Sequence, residues 1–231
     1  RGGNTGFWRD IFQGRDLLTE TPPSHWLIED YYDANPLTPD RTYGRRGGFI
    51  APLPFDPMAF GIPPNALQHT DSAQLLALVA AKNALDDIQS TNGCEIDLTR
   101  TSVMLGVASA TELTAHMAGR LQRPVWVNAL RQSGIGEPEV QEIVKRIEAH
   151  YIEWKESTFP GLLGNVVAGR IANRLDLGGA NFVTDAACAS SLSALNIAVQ
   201  ELRAGDSDTV LAGGADALND ILMYMCFSKT P

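Results

Sequence analysis

Cysteine is scarce in this sequence, basic residues are outnumbered, and long apolar runs are missing. Each shortage removes a class of protein. The three cysteines in 231 residues, Cys94, Cys188 and Cys226, are an odd number at wide spacing. That pattern is no disulfide framework, and with the four histidines it offers no metal-ligand spacing, so no metal is expected. The polar start Arg1-Gly2-Gly3-Asn4 is unlike a signal peptide, and reduced thiols then point to a cytoplasmic protein. Lysine and arginine number 18 against 27 acidic residues, a net charge of −9. This is the wrong sign for gripping a phosphate backbone, so nucleic acid is excluded as a partner. No apolar stretch nears the roughly 18 residues a membrane-spanning helix needs, which excludes a membrane role.

What is present is enough to build a sizeable core, with 44% hydrophobic residues over 231 positions. A first helix is expected over Gly6–Gln13, with Asn4 or Thr5 as N-cap and Gly14 as its stop. Most of the 13 prolines fall between Arg15 and Asn65, so that stretch is expected as an ordered excursion pinned by aromatics such as Tyr31 and Tyr43. Behind Thr70 and Asp71, the residues Leu75, Leu78, Val79, Leu85 and Ile88 recur at helical spacing and predict a long helix over Asp71–Gln89. Thr101–Val107, continuously apolar and rich in β-branched residues, reads as a buried strand. Residues 110–162 read as a helical insertion, with Leu113, Met117 and Leu121 on one seam, and with Val140, Ile143, Val144, Ile147 and Tyr151 on another behind Pro138. The core then resumes with a helix over Leu163–Leu175, a strand at Asn181–Thr184, a helix over Cys188–Ala204 closed by Gly205, and a strand at Asp208–Ala212. Strand, helix and strand within so short a stretch make a βαβ unit with parallel strands, and hence an α/β fold. Gly213-Gly214 lacks phosphate-loop spacing and reads as a turn.

Cys188 falls where that unit passes from strand to helix, within Thr184-Asp-Ala-Ala-Cys188-Ala-Ser-Ser191. Unpaired N–H groups and the positive end of the helix dipole favour thiolate over thiol there, which makes a nucleophile. The flanking Ala186, Ala187 and Ala189 leave room for an acyl chain. From position alone, a small side chain packed against the sheet accounts for Cys188 equally well.

Asp185-Ala-Ala-Cys188-Ala-Ser-Ser, followed by Ala212-Gly-Gly-Ala-Asp216, resembles the active-site segment of β-ketoacyl synthases, condensing enzymes of the thiolase fold. The likeness extends to Phe7-Trp8 through Asp16, to Asp71 through Asp87, and to Gly164-Asn165 through Leu175-Asp-Leu177. Within that family, Asp56-Pro-Met-Ala-Phe-Gly-Ile-Pro-Pro-Asn65, Arg120-Leu-Gln-Arg-Pro-Val-Trp126 and Asn219–Pro231 resemble iterative type I synthases that make polyenes. The likeness implies the enediyne polyketide synthases first, with polyunsaturated fatty acid synthases and heterocyst-glycolipid synthases next. The resemblance implies the first half of a layered α-β-α-β-α fold, divided into residues 1–70, a core of 71–109 with 163–231, and the insertion 110–162. The family's His-Gly-Thr-Gly-Thr and Gly-His motifs do not occur in these 231 residues, and His25, His69, His116 and His150 sit in neither context.

The resemblance implies that Cys188 accepts an acyl group from an acyl carrier protein thioester and condenses it with a malonyl thioester after decarboxylation, its own amide forming part of an oxyanion hole. No cofactor would be bound directly, because phosphopantetheine arrives on the carrier protein. Val107, Leu222, Tyr224 and Met225 would line the acyl cavity, although for the last three a core role is the more ordinary reading. A homodimer is implied, pairing through Asn181–Thr184. Cys226 reads as packed and Cys94 as incidental. Arg41, Arg45 and Arg46 are either a solvated face or a contact for the acidic carrier protein. Two other readings stand beside this one: a non-catalytic ketosynthase-like scaffold protein, and a cysteine hydrolase using the same turn.

Overall fold

The computed structural model describes residues 3–92, 95–108 and 112–230, so Cys94 lies outside the described residues. The early part of the chain forms α1 (Gly3–Phe12), β1 (Thr19–Glu20), α2 (Ile28–Tyr31) and β2 (Arg46–Gly47). There follow α3 (Ser72–Asn92), β3 (Thr101–Val107), α4 (Glu112–Arg120), α5 (Arg123–Gln132), α6 (Glu137–Glu148), α7 (Thr158–Leu162) and α8 (Val166–Arg174). The final run is β4 (Asn181–Thr184), α9 (Ser190–Ala204), β5 (Thr209–Ala215) and α10 (Ile221–Lys229). These elements fall into two units, one of Phe55–Leu218 and one of Arg1–Pro54 with Asn219–Pro231. The sequence division placed 219–231 with the core, whereas here it packs with the first 54 residues.

In the larger unit a parallel sheet runs in the order β4-β3-β5. The two strands of the expected βαβ unit therefore do not pair with each other. Each pairs with β3, and α9 crosses over the central strand between them. β3 is buried along its whole length, as a continuous apolar run predicts for a central parallel strand. Its Val103, Leu105 and Val107 face Leu78 and Leu85 of α3 and Val167 and Ile171 of α8 in one core cluster. Each such side chain contributes about 1.5–3 kcal/mol of burial free energy. Ser102 and Gly106, at the alternate positions, meet α9 on the other face.

The helix ends follow the local chemistry. Asp71 accepts from the Ala73 amide at 3.0 Å and from the Leu113 amide at 3.1 Å, so one buried carboxylate caps α3 and ties it to α4. Thr70 donates to the Ala66 carbonyl instead. The helix expected over Leu163–Leu175 is α8, which starts only at Val166; a separate short α7 ends at Leu162, with Leu163 extended between them. The break is held by Gln74, which is buried. Its Nε2 donates to the carbonyls of Pro160, Gly161 and Leu163 at 3.0–3.2 Å, and its Oε1 accepts from Arg170 at 2.9 Å. α5 starts with Pro124 in its first turn, a signal that passed unread within the helical insertion. α5 and α6 enclose a small satellite core of Val127, Val140 and Val144, and Leu121 is exposed. α9 ends at Gly205 in the left-handed conformation (φ 76°), as the sequence indicates.

In the smaller unit α1 starts at Gly3, so Asn4 and Thr5 lie inside the helix rather than ahead of it. Gly14 does end it, at φ 58°. β1 and β2 pair antiparallel. Trp26 is buried edge-on against Tyr224 of α10, with ring centroids 5.1 Å apart. The Asn219–Pro231 segment is thus a helix with Asp220 as its cap. The basic cluster is internally compensated. Arg46 pairs with Asp16 at 2.7 Å, Arg45 pairs with Glu20 at 3.3 Å and lies over Tyr32, and Arg41 donates to the Glu29 and Asp30 carbonyls. Among the described residues no helix is long and apolar enough to cross a membrane.

Candidate active site

The chain leaves β4 at Thr184 and must reverse into α9 within five residues. It does so through a short 3-10 turn over Ala187–Ala189, with the α-helix starting at Ser190 rather than at Cys188 as expected. Ala187 takes φ 47°, a conformation that costs an L-residue with a Cβ about 1–3 kcal/mol. Five hydrogen bonds hold it there, one of them from the Ser190 amide to the Ala187 carbonyl. The Ala187 amide donates to Asp185 Oδ1 at 3.0 Å, and the Ala189 amide to the Ala186 carbonyl at 3.0 Å. The Ala186 amide donates to Ser190 Oγ at 2.8 Å, and that hydroxyl donates in turn to the Ala187 carbonyl at 2.7 Å.

Two glycines let the start of α9 sit directly on the sheet. A Cβ on Gly106 of β3 would lie 2.5 Å from the Ser190 carbonyl carbon and 2.6 Å from the Ser191 amide nitrogen. A Cβ on Gly214 of β5 would lie 2.1 Å from Ser191 Oγ. Gly213-Gly214 is therefore not a turn. It belongs to strand β5, and Gly214 serves close approach. Sequence reasoning missed Ala187, Ser190 and both seating glycines. A serine two residues after a turn cysteine, with small residues opposite it on neighbouring strands, is the signal that was available.

At the crest of this turn Cys188 is exposed, and its sulfur has no hydrogen-bond partner among the described residues. A packed small side chain does not describe it. Cys226, expected to be packed, is exposed on α10. The side chains expected to line an acyl cavity are scattered in character. Val107 is buried in the main core, Leu222 is exposed, and Met225 is half-buried. Tyr224 packs on Trp26 with its hydroxyl buried against Gly47, without a hydrogen-bond partner among the described residues. None of the histidines is hydrogen-bonded to Cys188. His69 is fully buried beside the Asn65 carbonyl, His25 packs edge-on to Phe49, and His116 and His150 are exposed.

The chain is similar to two long synthases. It is 36% identical over 224 residues to a polyunsaturated fatty acid synthase polypeptide of a Thraustochytrium species, covering 97% of this chain and 8% of that one. It is 32% identical over 224 residues to a spectinabilin polyketide synthase system protein of Streptomyces orinoci, covering 96% and 8%. It thus spans about 8% of the length of these curated relatives. Among solved structures, an oxazolomycin ketosynthase domain of Streptomyces albus superposes with a TM-score of 0.67 at 24% identity, over 97% of this chain and 34% of that one. The ketosynthase from module 6 of the bacillaene synthase of Bacillus subtilis superposes with a TM-score of 0.62 at 21% identity, over 98% and 32%. These likenesses show the thiolase-like ketosynthase fold expected from the sequence. With the β-ketoacyl synthase N-terminal domain matching residues 2–231, the chain belongs to the β-ketoacyl synthase family.

Proposed function

We propose that this segment carries the acyl-accepting half of a decarboxylative condensation, with Cys188 as nucleophile. The observation that supports it is the exposed, unpartnered Cys188 on a strained, hydrogen-bonded turn at the start of α9. The thiolate attacks the carbonyl of a carrier-bound acyl thioester, the carrier's phosphopantetheine thiol leaves with a proton, and an acyl-cysteine remains. The Cys188 amide and the start of α9 stabilise the oxyanion on the way. A malonyl thioester then loses CO₂, and its enolate carbon bonds to the acyl carbonyl as the Cys188 thiolate departs. Neither family histidine motif occurs in these 231 residues, so the step assigned to them here is acylation. Val107, Leu222, Tyr224 and Met225 are assigned to the acyl channel on the resemblance alone.

The partner is an acyl carrier protein, and the product class is that of the polyene-forming iterative synthases. The likeness to a polyunsaturated fatty acid synthase supports that class; the enediyne assignment rests on the sequence segments. We also assign a homodimer through β4, which lies at an edge of the sheet with Phe182 and Val183 half-buried.

The test uses the full synthase chain. Incubation with an acyl-loaded carrier protein, followed by peptide mass mapping, is expected to find the acyl group on Cys188 and to lose it in Cys188→Ala. Acylation confined to Cys94 or Cys226 overturns the reading.

A further inference from the structure

We propose that Ser190 is a positioning residue for Cys188, a clamp that holds the left-handed Ala187 and thereby fixes where the thiol points. The proposal rests on Cys188 being the nucleophile, and its observations are separate from those that mark the cysteine.

The Ser190 side chain is nine-tenths buried and makes two bonds at once. Its Oγ accepts from the Ala186 amide at 2.8 Å and donates to the Ala187 carbonyl at 2.7 Å. Both belong to the residues immediately before Cys188, so one hydroxyl closes a ring around the peptide that sets the direction of the cysteine. Ala187 stands at φ 47°, which an alanine leaves unless its surroundings hold it. Four contacts hold it here: Asp185 Oδ1 on its amide, Ser190 Oγ and the Ser190 amide on its carbonyl, and the Ala186–Ala189 backbone bond across the turn. Of these, only the two from Ser190 are anchored in the body of the fold, and only the hydroxyl also reaches the Ala186 amide. Asp185 is exposed, whereas the Ser190 backbone sits against Gly106 with no room for an added carbon, 2.5 Å being the approach of a Cβ placed there. The sheet thus fixes Ser190, Ser190 fixes Ala187, and Ala187 aims Cys188. The cysteine thiol itself makes no hydrogen bond among the described residues that would orient it directly.

Removing the hydroxyl while keeping the Cβ leaves the sulfur present and exposed but releases its direction. Misplacing a reacting atom by about 1 Å costs on the order of 100-fold in rate. A glycine at 187 adopts positive φ freely, so it lowers the need for the clamp. A serine that only filled space would not be relieved by that second change.

The experiment measures acylation of Cys188 in the full synthase by an acyl N-acetylcysteamine thioester, varying its concentration. Ser190→Ala is expected to lower the saturated rate constant about 10- to 100-fold, with half-saturation changed less than about threefold. Ser190→Ala/Ala187→Gly is expected to regain most of the loss. An unchanged rate in Ser190→Ala, or no recovery in the double variant, overturns the clamp. If the unmutated protein is not acylated at Cys188, the proposed function fails. The clamp is then read from the iodoacetamide alkylation ratio of Cys188 to Cys226, which Ser190→Ala must change if the clamp exists. Should Ser190→Ala not fold, Ala187→Gly alone decides: it must raise the melting temperature by relieving φ strain, and a lowered one refutes the proposal.

Discussion

A thiol that is exposed and makes no hydrogen bond owes its orientation to the backbone beneath it, and the residues around Cys188 divide accordingly into those that aim it and those that make space. Cys188→Ala removes a single exposed sulfur, so stability is expected to change by less than about 1 kcal/mol while acyl loading is abolished. Thermal unfolding and mass mapping of the same samples check both halves. Gly106→Ala acts in the opposite sense. Its methyl would sit 2.5–2.7 Å from backbone and Cβ atoms of Ser190 and Ser191, none of which can swing aside. It is expected to destabilise by about 1–3 kcal/mol and to slow Cys188 acylation as well; denaturant unfolding alongside the loading rate would show the two losses together. Cys188 was legible because a cysteine between a strand and a helix is visible in residue types alone. Ala187 was not, because alanine carries no sign of a positive φ; only the surrounding bonds impose it. Ser190 was hidden for a related reason, since its hydroxyl acts on its own near backbone and leaves no periodic trace.

Elements were most legible where one force dominates. β3 carries no charged residue and is buried on both faces, and its expected span, Thr101–Val107, is the observed one. The α7–α8 break was illegible because it depends on Gln74, some 90 positions earlier, whose amide reaches three carbonyls of that bend. Gln74→Ala would leave those carbonyls and the Arg170 guanidinium without this partner, at an expected cost of about 2–4 kcal/mol by urea denaturation. α10 was missed because nine residues of Ile221–Lys229 packed on Trp26 look like any apolar run. On α6, Arg131 and Gln141 hydrogen-bond Glu137 and hold its carboxyl at about 2, well below the ordinary 4.5. A depressed carboxylate contributes its stabilisation above its unfolded value and loses it as pH falls through the folded one. The α5–α6 hairpin is therefore expected to keep this contact at pH 5 and to lose it between about 4.5 and 2, as followed by the Glu137 side-chain carboxyl resonance. In Glu137→Gln that titration should be missing.

At the scale of the whole molecule, the sheet is assembled from distant parts of the chain. Arg100, at the start of β3, donates to both oxygens of Asp208 at 2.9 and 3.0 Å, across a sequence separation of 108 residues. Arg100→Ala breaks that clasp at the mouth of the β3–β5 pair, although its exposure to solvent keeps the loss small. The accompanying small drop in melting temperature is measurable by calorimetry. The order β4-β3-β5 also sets a schedule. During synthesis at roughly 5–20 residues per second, β3 emerges about 5–20 s before the strand that covers its second edge. For most of that interval, until β4 emerges, a seven-residue uncharged segment, buried throughout in the finished protein, has neither sheet neighbour. The nascent chain must keep it from other growing chains until β5 arrives, so the tempo of translation between Val107 and Thr209 bears directly on the yield of folded protein.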